Sequence, residues 1–175
     1  NADTYHMQYH HGPEFESELT GYRIYFDERQ TVDMYGKYKK QLELSQTTFY
    51  PSTEQKAAGF GDDVLWVGNT FGAGALRGWD GSHPTMVSPC KIRRNKVLAS
   101  GPVRAIVDVI DEGWAYGSGE PITMRIRYTI WAGHRDCDVD VKFREVPTGL
   151  KFSTGVINVK NSTEFSDKSG RRGCW

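Results

Sequence analysis

Ile122 to Trp131 sets Ile122, Met124, Ile126, Tyr128 and Ile130 against Thr123, Arg125, Arg127, Thr129 and Trp131, without a break. Side chains alternate sides along a strand, so this period of two puts an apolar face against a core and a polar face outward. No helix tolerates that pattern. Asp136 to Phe143 repeats it, with Cys137, Val139, Val141 and Phe143 against Asp136, Asp138, Asp140 and Lys142. Pro102 to Glu112 does so again through Val103, Ala105, Val107 and Val109, and Lys91 to Ala99 reads as a further strand. Half-buried antiparallel strands separated by Gly and Pro turns predict an all-β sandwich or barrel.

The first third carries weaker but related signals. Leu19 to Phe26 is rich in aromatic and β-branched residues and reads as a strand, with Tyr22, Ile24 and Phe26 on one face and Gly21, Arg23 and Tyr25 on the other. Asp27 to Gln30 is a polar turn and Thr31 to Tyr35 a second strand, which makes residues 19–35 a hairpin. Residues 1–13, including His6, His10 and His11, read as an extended or loop lead-in that Gly12-Pro13 bends. Residues 38–60 are the least strand-like and hold one short helix with Ser52 or Thr53 as its cap. The glycine-rich run from Gly59 to Gly81 predicts brief strands at Val64 to Val67 and Gly74 to Leu76.

The 175 residues suffice for one core of ordinary size, read here as a single domain over residues 1–175. Lys and Arg balance Asp and Glu at 22 each, which argues against nucleic acid as a partner. No apolar run approaches the roughly 20 residues that a spanning helix needs. Nothing matches a phosphate loop, three cysteines show no zinc spacing, and no cofactor or metal is expected. The chain opens on Asn1 and closes on Cys174-Trp175, two residue types usually buried, so the parent polypeptide is expected to continue beyond Trp175 and supply a missing C-terminal partner.

Groups able to move protons concentrate between Tyr9 and Lys37. His10 and His11 are candidate bases near neutral pH, or surface and capping histidines. Glu14, Glu16 and Glu18 alternate and share a strand face that must be wet or matched by a cation or hydroxyls. Neighbouring carboxyls there are ~6.6 Å apart by strand rise, within the roughly 5–10 Å that glycoside hydrolysis uses. Arg23 and Tyr25 on one face, with Lys37, suit uronate elimination: a cation neutralises the sugar carboxylate while a phenol or imidazole takes the proton beside it. An Arg–Glu pair with core tyrosines is the structural alternative. Outside this stretch, Trp79 and Asp80 form a candidate sugar-stacking and hydroxyl-binding pair, and His134 and Arg135 sit at a sheet rim. Asp136, Asp138 and Asp140 read as a solvated face.

Three runs carry a family resemblance: YHHGPEFESELTGYRIYFDERQTVDMYGK from Tyr9, GFGDDVLWVGNTFGAGALRGWDG from Gly59, and GPVRAIVDVIDEGW with the later RYTIWAGHRDCDVDVKF. They resemble a family of unknown function found in bacterial polysaccharide-utilisation gene clusters and placed with galactose-mutarotase-like β-supersandwich folds. The resemblance implies a chain that is part of such a supersandwich, exported to the periplasm or secreted, with an oligosaccharide or polysaccharide fragment as partner. On this basis the expected function is a lyase or hydrolase of uronate-containing oligosaccharides, with His10, His11, Glu16, Arg23, Tyr25 and Lys37 as catalytic candidates and Trp79, Asp80, His134 and Arg135 as substrate contacts. A non-catalytic carbohydrate-binding domain relying on Trp79, Trp114 and Trp131, or a sugar mutarotase or epimerase, are the alternatives.

Overall fold

Strict alternation places β9 (Ile122–Trp131) at the heart of the largest sheet in the computed structural model, which describes residues 9–145 and 148–174. Ile122, Met124, Ile126, Tyr128 and Ile130 are all at most 1 % exposed. Fully burying one such side chain stabilises by ~1.5–3 kcal/mol, and an Ile126→Ala change would cost ~2–5 kcal/mol through the void it leaves. Around it the sheet runs β10-β9-β8-β7, all antiparallel, with β7 at Ile92–Ser100, β8 at Arg104–Trp114 and β10 at Cys137–Arg144. The outward residues form charge ladders. Arg127 grips Asp108 with two hydrogen bonds of 2.8 and 2.9 Å, and Arg125 donates to Asp140.

A second antiparallel sheet holds the early hairpin, in the order β1-β2-β3-β4: Glu14–Glu16, Thr20–Ile24, Val32–Gly36 and Asp62–Asp63. Its apolar face, Phe15, Tyr22, Ile24 and Val32, joins Val107, Val109 and the inner residues of β9 in one core. Phe15 and Tyr128 meet across the two sheets with ring centroids 5.8 Å apart. β2 differs from expectation in one respect: all five residues are buried, Arg23 included. The irregular segment 37–61 covers its other face, against which Tyr35, Leu44 and Phe49 form a small second core.

A third sheet, β11-β5-β6 (Phe152–Thr154, Leu76–Trp79 and Pro84–Thr85), packs near Trp114, and Phe143 stacks on Phe152 at 4.3 Å. β12 (Glu164–Ser166) and β13 (Arg172–Cys174) form a separate hairpin. The architecture is all-β and antiparallel, consistent with a sandwich, and no sheet closes into a barrel. A short α-helix, α1 (Thr53–Ala57), starts at Ser52 with a reciprocal capping box to Gln55.

Several local expectations are corrected. Val64 to Val67 is not a strand; β4 is confined to Asp62–Asp63, beyond which only the Val64 amide, donating to Met34 O at 3.2 Å, continues the pairing with β3 among the described residues. The strand foreseen at Gly74 to Leu76 lies two residues later, at Leu76–Trp79. Of the extended and loop conformations expected for the lead-in, His10 and His11 take the second: Tyr9–His11 is a tight turn, with φ of 60° and 64° at the two histidines. Residues 1–8, His6 among them, and Trp175 lie outside the described residues.

Candidate functional site

Gly12 fixes how the histidine turn approaches β2. A methyl group there would sit 1.9 Å from the Ile24 carbonyl oxygen, so only glycine permits the contact. Backbone bonds from Phe26 N–H to His11 O (3.1 Å) and from Ile24 N–H to Pro13 O (3.0 Å) then hold the lead-in along the strand. This brings the His10 ring to the start of β1. The Phe49 amide donates to His10 Nδ1 at 2.9 Å, leaving Nε2 as the ring nitrogen that carries hydrogen, 3.0 Å from Glu14 Oε1. Glu14 Oε2 is buried and has no hydrogen-bond partner among the described residues.

The electrostatics follow from that geometry. Burial, reinforced by the nearby Glu16 charge and only partly offset by Arg23, pushes the Glu14 carboxyl up to about 8. Burial, then the charge of Arg23, lowers the His10 imidazole below its ordinary value. At neutral pH the pair is thus a protonated acid hydrogen-bonded to a neutral histidine. Glu14, His10, Thr47, Thr48, Tyr50 and Gln46 line an open hollow of about 520 Å³, and several of these hydroxyls and amides are already bonded within the loop, which fixes their positions.

Behind the hollow lies Arg23, fully buried. Its Nη2 donates to Asp33 Oδ2 at 2.5 Å and to Tyr50 Oη at 3.0 Å. Its guanidinium lies 4.0 Å from the Phe49 ring centroid and 5.0 Å from that of Tyr25. Burial raises Asp33 to about 6 despite the Arg23 contact, which still leaves the pair ionised at neutral pH. Arg23 and Tyr25 do share a face, as the alternation requires, but the guanidinium is committed to internal partners and does not line the hollow. Lys37 is likewise enclosed: its Nζ bonds Glu16, Ser17 O (2.6 Å) and Gln41 O (2.8 Å). Glu16 also accepts the Glu43 and Leu44 amides at 3.0 Å, so this pair anchors the 41–44 loop. The cation foreseen opposite the alternating acids is Lys37, and it serves Glu16. Glu18 accepts the Gly133 amide at 3.0 Å, and backbone bonds to Gly133 and to its own amide lower its carboxyl below the ordinary value.

The remaining candidates lie elsewhere. The β9–β10 turn is stitched to the hairpin through main-chain oxygens, from Ser17 Oγ to His134 O (2.6 Å) and Tyr22 Oη to Arg135 O (2.5 Å). The side chain of His134 is exposed beside Asp136. Trp79 ends β5 of the third sheet, and Asp80, just beyond it, accepts the Ser82 and His83 amides at 2.7 Å and closes a turn. Trp114 is wholly buried, so it offers no face to a sugar, and Trp131 lies under Arg104 and donates to Asp138. The residues that sequence reasoning underweighted are Glu14, passed over for its neighbour Glu16, and Tyr50 and Phe49. The last two lie in the irregular segment, where no periodicity marks them. Among the described residues no group of three or more His, Cys, Asp or Glu is placed to hold a metal ion, and no helix is long and apolar enough to cross a membrane.

Fold and site together define an antiparallel β protein with a half-buried histidine–carboxylic acid pair at a polar hollow. The chain belongs to a family described as a domain of unknown function, DUF4861, which matches residues 1–175. No curated protein and no solved structure matches it.

Proposed function

We propose that this is an exported carbohydrate-active protein in which Glu14, oriented by His10, donates a proton to the glycosidic oxygen of a sugar bound in the hollow. One observation carries the reading: an acid kept protonated at neutral pH, tied to a histidine of fixed tautomer, on a wall rich in hydroxyls and amides. A general acid works best with a pKa near the operating pH. The last torsion of a glutamate is soft, so the carboxyl can turn to bring Oε2 to the hollow, Oε1 giving up its place at His10 Nε2 as it does so. The anomeric C–O bond then breaks, the Glu14 proton stays on the leaving oxygen, and water adds to the anomeric carbon as its spare proton restores Glu14.

Hydrolysis is favoured over uronate elimination because this hollow is lined by no Arg or Lys among the described residues; Arg104 lines only the adjoining hollow, where its guanidinium lies over the Trp131 ring. A lyase needs a cation at the sugar carboxylate, and Arg23 and Lys37 are occupied within the fold. A second reading, sugar mutarotase or epimerase, is favoured by the confinement of Glu16 against the 43–44 amides, which leaves Glu14 as the carboxyl paired with a histidine at the hollow. Incubation with neutral and uronate oligosaccharides separates these readings. New reducing ends abolished by Glu14→Gln support hydrolysis. Absorbance from an unsaturated product would instead mean elimination, and a changed anomer ratio by NMR without bond cleavage would mean mutarotation. Sugar binding with none of the three would leave a binding domain.

A further inference from the structure

A second, larger hollow of about 690 Å³ adjoins the first, and Glu14, Leu44 and Ser45 line both. Its far walls differ in kind. They come from β7, the turn after it, β8 and the end of β9, and are mainly aliphatic: Val97, Ala99, Val103 and Ala105 reach the surface, with Val107 and Ile130 behind them in the core, while Ser100 and Arg104 interrupt this wall and Glu16, Ser17 and Glu18 line the near side. Val97 and Val103 are 60 % and 63 % exposed, on the side where β7 carries its bulge between Val97 and Ala99. Among the described lining residues the only aromatic ring is Phe15, which is itself buried in the core. A pyranose is gripped by flat rings and hydroxyl partners, whereas branched aliphatic walls suit an alkyl or acyl chain. Glu14 thus stands where a polar lobe meets a mainly aliphatic one, and Leu44 and Ser45 line both with it.

We propose that the site takes an amphiphilic glycoside, its sugar in the polar lobe and an aliphatic aglycone in the lobe walled by β7 and β8, so that the bond joining the two lies over Glu14. This rests on the assignment of Glu14 as the acid. It extends it by predicting that the leaving group is apolar rather than a further sugar. The shared wall argues for one elongated ligand: the two lobes meet at the residue that would act on the bond between their contents.

The test is binding, so that it survives a failure of the hydrolytic reading. Matched methyl and octyl glycosides of glucose, galactose, mannose and glucuronic acid are titrated calorimetrically, below micelle-forming concentrations, into the full chain and into its Glu14→Gln variant. For at least one sugar, the octyl member binds 10-fold or more tighter than the methyl member, and Val97→Asp and Val103→Asp each reduce that ratio towards one. Octyl preference without turnover in the unaltered protein would retain the two-lobed site and remove the acid role. Equal affinities within every pair, tighter binding of disaccharides than of octyl glycosides, no binding by any octyl glycoside, or an octyl preference untouched by both Asp substitutions overturns the proposal.

Discussion

His10 Nε2 lies 3.0 Å from Glu14 Oε1, while the opposite nitrogen of the same ring accepts the Phe49 amide hydrogen at 2.9 Å. That backbone bond decides the chemistry of the pair. With Nδ1 occupied as an acceptor, the hydrogen on Nε2 points at Oε1, and a protonated Glu14 must hold its own hydrogen on Oε2. Glu14→Gln keeps the shape and removes the transferable proton. Loss of one general acid costs roughly 10²–10⁴ in rate, so kcat on a cleaved glycoside falls by that range while sugar affinity measured by calorimetry stays within about threefold.

The same carboxyl sets a pH limit. Its folded pKa, about 8, lies above the ordinary glutamate value of 4.5, and the acid form is the active one. Activity is therefore retained up to about 8 and lost above it. Stability has the same sign. Between 4.5 and 8 the folded protein binds more protons than the unfolded chain, so stability is fully present below the lower value and declines as pH rises through the upper one. Urea denaturation at several pH values should show this slope, flattened in Glu14→Gln.

Arg23 and Asp33 form a pair in which neither side chain is exposed. Removing one partner strands the other charge, at ~3–5 kcal/mol. Asp33→Ala and Arg23→Met should each lose stability of that order by urea denaturation. Arg23→Lys should not restore it, because an ammonium cannot reproduce the flat contact with Phe49 and Tyr25.

Gly12→Ala should displace the histidine turn, since its methyl group would overlap the Ile24 carbonyl. The expected result is a loss of ~2 kcal/mol or more, with loss of the high-pH titration of Glu14. His134→Ala, at an exposed turn held through its main chain, should alter stability by ~0.5 kcal/mol or less.

The sheets were legible because their alternation is intrinsic to the chain. The observed bounds of β9 coincide with the apolar–polar run, and the β2–β3 hairpin spans residues 20–36 against the 19–35 expected. The site was legible only as a region. Alternation put Glu14, Glu16 and Glu18 on one strand face, but β1 ends at Glu16 and Glu18 lies in the bend beyond it, and their different roles depend on distant partners: Lys37 and the 43–44 amides for Glu16, Gly133 for Glu18, His10 and burial for Glu14. Tyr50 and Phe49 had no local signature because their positions come from the packing of an irregular segment over β2. Arg23 looked available for a substrate because a strand usually keeps one face open, and here both faces are covered.

The state of Glu14 can be measured directly by ¹³C NMR titration of the glutamate side-chain carboxyl carbons, with the Glu14→Gln variant assigning the resonance. A midpoint near 8 for that resonance is predicted; a midpoint within the ordinary range, near 4.5, would contradict the account.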